Sequence, residues 1–230
     1  MAPKVLLILT SADKDPKTGN EPEFAHLWDI LQSKVEFFVV ASPKGGLAPL
    51  SSQSVEMYKD DPSSASFVKS QSALWENTVK ISDVLSLVND FDAIFYPGGH
   101  GPMFDLYSDP ESISLIEKFA VAKKPIASVC HGPVVLLKPT LPSGEPLIAS
   151  AAVTGFSNVE EDALGTTAMM PFMLEDEMHR LSGKDVKAEE TFGEKGVVSD
   201  VKRLGAVLIT GQNPASAKGV GEALAEALGL

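Results

Sequence analysis

Six short apolar runs, each bounded by polar or turn-forming residues, constrain the fold of this chain most strongly. Their sequences are KVLLIL, VEFFVVAS, DAIFYPGG, PIASVCHG, AAVTGF and AVLITGQN. Continuous runs of this length are typical of strands that are buried on both faces of a parallel sheet. Amphipathic, helix-like segments lie between some of them, at residues 22–34, 110–124 and 215–228. This alternation predicts an open α/β sheet with helices on both faces.

Two segments interrupt the alternation. Residues 50–75 are rich in serine and have little periodicity, so we interpret them as an inserted segment that covers the domain. Residues 159–183 are predicted to be helical throughout. A chain of 230 residues can form one sizeable core. We therefore predict a single domain over residues 1–230, with insertions.

The charge of the chain excludes some classes of partner. There are 31 acidic and 19 basic residues, a formal net charge of -12. Such a surface repels phosphate backbones and anionic lipid heads, which argues against nucleic acid or a membrane as the main partner. The apolar run near the N-terminus is too short for a signal peptide. We predict a cytoplasmic protein and leave a nuclear pool open.

The single cysteine, Cys130, ends the run PIASV and is followed by His131 and Gly132. One cysteine excludes an intramolecular disulfide and any metal site built from several cysteines. A lone buried cysteine usually acts as a small apolar core residue. The His-Gly that follows instead indicates a strand-to-helix turn, where a side chain is forced outward and a thiolate is favoured. This pattern is typical of a nucleophile elbow with cysteine in place of serine.

A cysteine nucleophile needs a base and an anion that orients this base. His131 is the nearest base, although adjacent residues in a turn need not face each other. Glu160 and Glu161, in TGFSNVEEDALG, are candidate orienting carboxylates. Glu21 and Glu23 lie at the predicted junction between the first strand and its helix.

Glycines follow the run DAIFYP. Gly98 and Gly99 allow backbone N–H groups to approach a ligand closely, and His100 after them is expected to lie at the mouth of a pocket. His26 and His100 are not spaced as in a zinc motif, so no metal is predicted. The methionine-rich segment around Phe172 is more typical of packing than of binding.

Five motifs together resemble the ThiJ/PfpI superfamily, in its glutathione-independent glyoxalase III branch. They are TGNEPEFAH, YPGGHGPMFDL, VCHGP, VTGFSNVEE and LITGQNPASA, in family order over nearly the whole chain. The resemblance implies a flavodoxin-like, doubly wound and mostly parallel sheet. It also implies a homodimer. The chain departs from the related pattern in having one residue fewer before Glu23 and no Asp-Gly turn before LITGQN.

The resemblance implies a role for each matching residue. Cys130 would be the nucleophile, His131 its partner and Glu161 the acidic third member, with Glu160 as the substitute. Glu23 would carry protons. Gly99 and the His131 amide would form an oxyanion pocket beside Gly98 and His100, and Phe172 would limit substrate size.

The activity implied by the resemblance needs no cofactor. A small aldehyde, methylglyoxal or glyoxal, would add to Cys130 as a hemithioacetal, and methylglyoxal would leave as lactate. Two other classes of function stay open. One is a stress-response holdase chaperone or redox sensor, and the other is a cysteine hydrolase or protein deglycase that uses the same residues.

Overall fold

The central feature of the fold is one sheet, seen in a computed structural model that describes residues 2–13, 24–201 and 205–230. Seven strands from the described residues form it in the order β3-β2-β1-β4-β5-β7-β6. The strands are β1 (Lys4–Ile8), β2 (Phe37–Ser42), β3 (Val79–Lys80), β4 (Ala93–Tyr96), β5 (Ile126–Val129), β6 (Gly196–Val201) and β7 (Ala206–Gly211). All neighbours are parallel except β6 and β7, which are antiparallel.

The strand order is that of a flavodoxin-like sheet. Without its two edge strands the order is β2-β1-β4-β5-β7, which matches the doubly wound order 2-1-3-4-5. The chain leaves β1 toward one edge and returns to form β4 on the other side of β1. Ligands bind beyond the carboxyl ends of the strands at such a reversal. The predicted fold class, a mostly parallel doubly wound sheet in a single domain, is confirmed.

Helices flank this sheet. They are α1 (Phe24–Leu31), α2 (Ser52–Met57), α3 (Pro62–Ser70), α4 (Ala73–Glu76), α5 (Ile81–Val84), α6 (Pro110–Val121), α7 (Asn158–Leu164), α8 (Leu174–Ser182) and α9 (Ala217–Ala227). Short 3₁₀ helices lie at Val88–Asp90, Gly101–Met103, Gly132–Leu136, Thr167–Met169 and Pro214–Ser216. Because crossovers between parallel strands are right-handed, α1 and α6 cover opposite faces of the sheet.

Local sequence explains the limits of the better-formed helices. Asp109 caps α6, since its carboxylate accepts a hydrogen bond from the Ser112 N–H and Pro110 starts the first turn. The apolar face of α6 buries Leu115 and Phe119.

No helix in the described parts of the chain has the length and apolar character needed to cross a bilayer.

Two expectations about secondary structure are wrong. Residues 151–156 form no strand, and only Val153 makes an isolated bridge, to Asp185. β6 occupies the edge beside β7 instead. The segment is buried beside the ends of β7 and β5, where the Thr154 N–H donates to the Thr210 hydroxyl at 3.0 Å and the Phe156 N–H donates to the Cys130 carbonyl at 2.9 Å. Residues 159–183 are not one helix, because Gly165 ends α7 with a φ of +67° and a separate α8 follows.

The serine-rich residues 50–75 form α2 and α3 and begin α4. Ser51 and Asp61 cap α2 and α3 with side-chain oxygens. The expectation that residues 50–75 cover the domain stays a prediction, although several of them line the cavity described below.

Near the other end of the chain, β6 and β7 form a hairpin without an Asp-Gly turn. Val201 lies opposite Ala206, and Gly205 has a φ of +71°.

Candidate active site

Cys130 lies in a tight turn directly after β5. Its φ is +61°, a left-handed conformation that non-glycine residues rarely adopt. Two backbone hydrogen bonds fix this turn: the Cys130 N–H donates to the Gly211 carbonyl at 3.0 Å, and its carbonyl accepts from the Phe156 N–H at 2.9 Å. The Cys130 side chain is only 1% exposed, and a 3₁₀ helix follows at Gly132–Leu136. This is the strand-to-helix turn that the sequence predicts.

Gly132 permits a close approach between this turn and the end of β4. A Cβ atom on Gly132 would lie 2.4 Å from the Tyr96 carbonyl oxygen and 2.9 Å from that of Pro97. Both contacts are with backbone, which cannot move aside as a flexible side chain can. The glycine after Cys130-His131 therefore lets the end of β4 lie directly against the turn that holds the cysteine.

We expect Gly132→Ala to lower the free energy of unfolding by about 1–3 kcal/mol through overpacking. We also expect it to reduce the reactivity of Cys130, because the turn must shift away from β4. Gly196→Ala is the matched control, since a Cβ there meets nothing within 4 Å. Urea denaturation and alkylation of the thiol by iodoacetamide measure the two effects. Equal stabilities of the two variants would contradict this account of Gly132.

Cys130, His131 and a carboxylate form a hydrogen-bonded series. The Cys130 Sγ lies 3.4 Å from the His131 Nδ1, and the His131 Nε2 lies 2.7 Å from the Glu161 Oε2. All three side chains are buried. A carboxylate only accepts hydrogen bonds, so the His131 Nε2 carries the hydrogen and its Nδ1, in the neutral ring, can accept one from the thiol. The adjacent cysteine and histidine do face each other.

Glu160 and Glu161, both near the start of α7, have different roles. Glu160 forms a capping box with Ser157, whose N–H and hydroxyl both donate to the Glu160 carboxylate. The Glu160 Oε1 also accepts from the Asn213 side chain at 2.7 Å and from the Phe192 N–H at 3.1 Å. Glu161 is thus the carboxylate on His131, and Glu160 holds the structure around it.

A second histidine contacts the same carboxylate. The His100 Nε2 lies 2.9 Å from the Glu161 Oε1, and the two imidazole rings have centroids 4.3 Å apart. The Thr166 hydroxyl donates to the same oxygen. His100 is buried with its ring on Glu161, and it also lines the cavity described below.

These contacts keep Glu161 ionised. Burial favours the neutral acid, which raises its pKa, but hydrogen bonds from His100 and His131, the charge of His131 and the Thr166 hydroxyl outweigh burial. Together they hold the pKa of Glu161 well below its usual range. The carboxylate therefore stays negative next to His131 throughout the neutral range.

The lowered pKa of Glu161 predicts how stability depends on pH. Since the folded pKa is lower than the unfolded one, the unfolded chain binds more protons as the pH falls below about 4.5. The stabilisation is present above that pH and is lost progressively toward the lower, folded pKa. We expect the unfolding free energy of Glu161→Gln to fall less steeply than that of the wild type between roughly pH 5 and pH 3. Urea titrations at several pH values measure this, and the exposed Glu226→Gln is the control, which should follow the wild type. Identical pH slopes of Glu161→Gln and the wild type would contradict the prediction.

His100, His131 and Glu161 also have the composition of a metal-ligand set. One potential ligand atom from each lies within 4.8 Å of the others. Sequence spacing could not indicate this set, since the three residues come from different loops and a helix. The hydrogen bonds of the Glu161 carboxylate to both rings and to Thr166 account for the arrangement without an ion.

A cavity of about 460 Å³ opens onto Cys130 and His131. Besides the cysteine turn and His100, the described lining comes from three groups of residues. The first comprises His26 of α1 and several residues between 51 and 64, the second includes Phe156 and Thr166, and the third includes Phe192 and Asn213. His26 of α1 and Asp61 face each other in this lining, with the His26 Nε2 3.5 Å from the Asp61 Oδ2.

Residues 20–227 match the DJ-1/PfpI family. The chain belongs to this family. Glyoxalase 3 of Candida albicans is 38% identical over 97 residues, covering 41% of this chain and 40% of that protein. A glutathione-independent glyoxalase of Schizosaccharomyces pombe is 28% identical over 163 residues, covering 66% of this chain and 63% of that protein. The matched region thus spans less than two thirds of either relative.

A solved structure shows the same fold as this DJ-1/PfpI chain. The crystal structure of glyoxalase III from Candida albicans gives a TM-score of 0.82 at 24% identity. The similarity covers 97% of this chain and 96% of that one.

The DJ-1/PfpI fold brings together most of the candidate residues, though not all. Gly98 and Gly99 are buried in the loop after β4, and Gly99 has a φ of +85°. Phe172 packs on Tyr107, with ring centroids 4.7 Å apart, and is not among the described residues that line the cavity. The phenylalanines in the described lining are Phe156 and Phe192. Glu21 and Glu23 lie outside the described residues.

Sequence reasoning missed three residues of the site, Thr166, Phe156 and Phe192, which lie far from Cys130 in sequence. Asn213 did carry a signal, since Asn before Pro after an apolar strand predicts a helix start near the edge of the active site. The two phenylalanines carried none, because aromatic residues are common in any core.

Proposed function

We propose that this protein is a glutathione-independent glyoxalase that converts methylglyoxal to lactate. The observation that carries the proposal is the Cys130–His131–Glu161 series at the base of a cavity. The named activities of the two relatives support it. Homodimer formation and a cytoplasmic location stay predictions from the sequence.

The first step uses the Cys130 thiol, so no added thiol such as glutathione is needed. His131 Nδ1 accepts the thiol proton, and the imidazolium is stabilised by the ionised Glu161 at 2.7 Å. The thiolate attacks the aldehyde carbon, so a C–S bond forms and the carbonyl oxygen takes up a proton. The product is a hemithioacetal on Cys130.

The second step moves a hydrogen between two carbons. A base removes the hydrogen on the carbon bonded to sulfur, and a proton is returned to the neighbouring carbon through an enediol. This leaves a lactoyl thioester, which water hydrolyses to lactate as the C–S bond breaks and the thiol is restored. The overall reaction adds one water and needs no oxidant or reductant.

Glu23 is our candidate for the group that moves this proton. Its motif supports the assignment, and so does its position in the sequence directly before α1, whose His26 lines the cavity. A carboxylate suits this role because it can take a proton from one carbon and return it to the next.

Lactate release in buffer free of glutathione and other thiols tests the proposal. The wild type should convert methylglyoxal to lactate with saturable kinetics. An absence of lactate at high enzyme concentration would overturn the proposal and favour the chaperone or hydrolase alternatives.

Glu23→Gln should lower kcat by about 10²–10⁴-fold, since it removes general acid–base catalysis. The thiol should still react with iodoacetamide, because Cys130, His131 and Glu161 are unchanged. Glu21→Gln, two residues away in the same segment, is the matched control and should keep wild-type kcat. Equal losses in the two variants would count against Glu23 as the proton carrier.

A further inference from the structure

We infer that the preferred substrates are uncharged 2-oxoaldehydes with an aromatic substituent, held by an aromatic wall of Phe156 and Phe192. The inference rests on the proposed function and narrows its substrate class. Phenylglyoxal, which such an enzyme would convert to mandelate, is the simplest example.

The cavity is much larger than methylglyoxal. That molecule has five non-hydrogen atoms, and five water-sized volumes of ~30 Å³ occupy roughly 150 Å³. The cavity volume is about 460 Å³, within the range of sites for larger ligands. A phenyl group in place of the methyl would use space that methylglyoxal leaves to solvent.

The chemistry of the lining favours an apolar, uncharged substituent. Beside Cys130 and His131 the described lining includes Phe156, Phe192 and Leu164, and Met57 of α2 also contributes. None of the described lining residues is a lysine or an arginine. A phosphorylated or carboxylated oxoaldehyde would therefore find no lysine or arginine to pair with in this lining, and His26 there already faces Asp61.

The aromatic wall starts at the catalytic imidazole. The Phe156 ring lies 4.4 Å from the His131 ring, and the Phe192 ring lies 6.4 Å from the Phe156 ring, centroid to centroid. These spacings fall in the range of favourable ring contacts. A substrate carbonyl at Cys130 would place an attached ring beside this wall.

Phe192 is held in an unusual conformation. Its φ is +61°, which is unfavourable for a bulky residue and persists only where neighbours fix it. Its N–H donates to the buried Glu160 carboxylate at 3.1 Å. The Asn213 side chain donates to the same oxygen and to the Gly193 carbonyl, each at 2.7 Å.

These hydrogen bonds fix the backbone of Phe192 in a position that leaves its large apolar side chain partly exposed to solvent. Phe192 is 41% exposed although it lines the cavity. Packing in the core does not explain this arrangement, because the Phe192 side chain is exposed while its backbone is strained and fixed by a buried carboxylate. A bound aromatic ring would cover it and would find the wall already formed, which lowers the entropy cost of binding.

Turnover of two substrates tests the inference. The kcat/KM for phenylglyoxal should exceed that for methylglyoxal by about tenfold or more. Phe192→Ala should lower this ratio roughly tenfold, Phe192→Leu should lower it less, and Leu47→Ala should leave it unchanged. Leu47 is the matched control because it is a 65% exposed apolar residue outside the described lining. Turnover of methylglyoxal with an equal or lower kcat/KM for phenylglyoxal would overturn the inference.

A second assay separates this inference from the proposed function. Cys130 is alkylated with 2-chloroacetophenone or chloroacetone, where the thiolate displaces chloride and a C–S bond forms. Rates are followed by mass spectrometry and divided by those of N-acetylcysteine. After this division, Cys130 should react about tenfold faster with 2-chloroacetophenone than with chloroacetone, and Phe192→Ala should reduce this ratio. That result supports the aromatic wall even if neither oxoaldehyde is turned over. No preference, or one that Phe192→Ala leaves intact, overturns the inference, whereas a lack of turnover alone overturns only the glyoxalase proposal.

Discussion

Cys130→Ala is expected to lower the rate of lactate formation by about 10³-fold or more, because it removes the nucleophile. The fold should survive the change. Two backbone hydrogen bonds, to the Gly211 carbonyl and from the Phe156 N–H, hold the turn independently of the sulfur. Thermal unfolding of the variant should therefore resemble that of the wild type.

Cys130→Ser separates the enzyme from the other classes of function. A hydroxyl is a far weaker nucleophile than a thiolate, so lactate formation should also fail in this variant. Suppression of client aggregation that persists in Cys130→Ser would reveal a separate holdase activity. Wild-type lactate formation in Cys130→Ala would refute the mechanism, since no other cysteine is present in the sequence.

Glu161→Gln should produce the second-largest loss, about 10²–10⁴-fold in kcat. Glu161 accepts hydrogen bonds from the Nε2 atoms of both His131 and His100. A glutamine side chain has one oxygen, so its NH₂ group would face one of the two rings. His131 would then lose its preferred tautomer or its negative partner, and the thiolate–imidazolium pair would be destabilised.

The pH dependence of thiol alkylation distinguishes this role from a structural one. In Glu161→Gln the reaction of Cys130 with iodoacetamide should shift to higher pH, because the imidazolium that stabilises the thiolate has lost its counterion. Asp162→Asn, on the exposed face of the same helix, should keep the wild-type profile and nearly full kcat. A profile for Glu161→Gln that matches the wild type would show that the carboxylate does not act through His131.

The sequence predicts the sheet well where burial alone determines a strand. β1, β4 and β5 are mainly apolar and almost wholly buried, because helices cover both their faces. The two-residue β3 and the more polar edge strand β6 have no such signal and were missed. Residues 151–156 show the converse error, since a segment buried beside strand ends is as apolar as a strand.

The site was predictable where its residues are close in sequence. Cys130, His131 and Gly132 form a local pattern whose glycine is required by the approach of β4. The choice between Glu160 and Glu161 was not local, because consecutive helical residues point about 100° apart and the orientation of α7 selects one. The pairing of His100 with Glu161 likewise depends on how two distant segments meet.

The central claim is that the reaction passes through a covalent bond to Cys130. Rapid mixing with methylglyoxal, acid quenching and peptide mass spectrometry test it most directly. We predict an adduct on the Cys130 peptide with the mass of one methylglyoxal, decaying to free thiol at the rate at which lactate appears. Lactate release while Cys130 stays unmodified, or after the thiol has been blocked with iodoacetamide, would contradict the account.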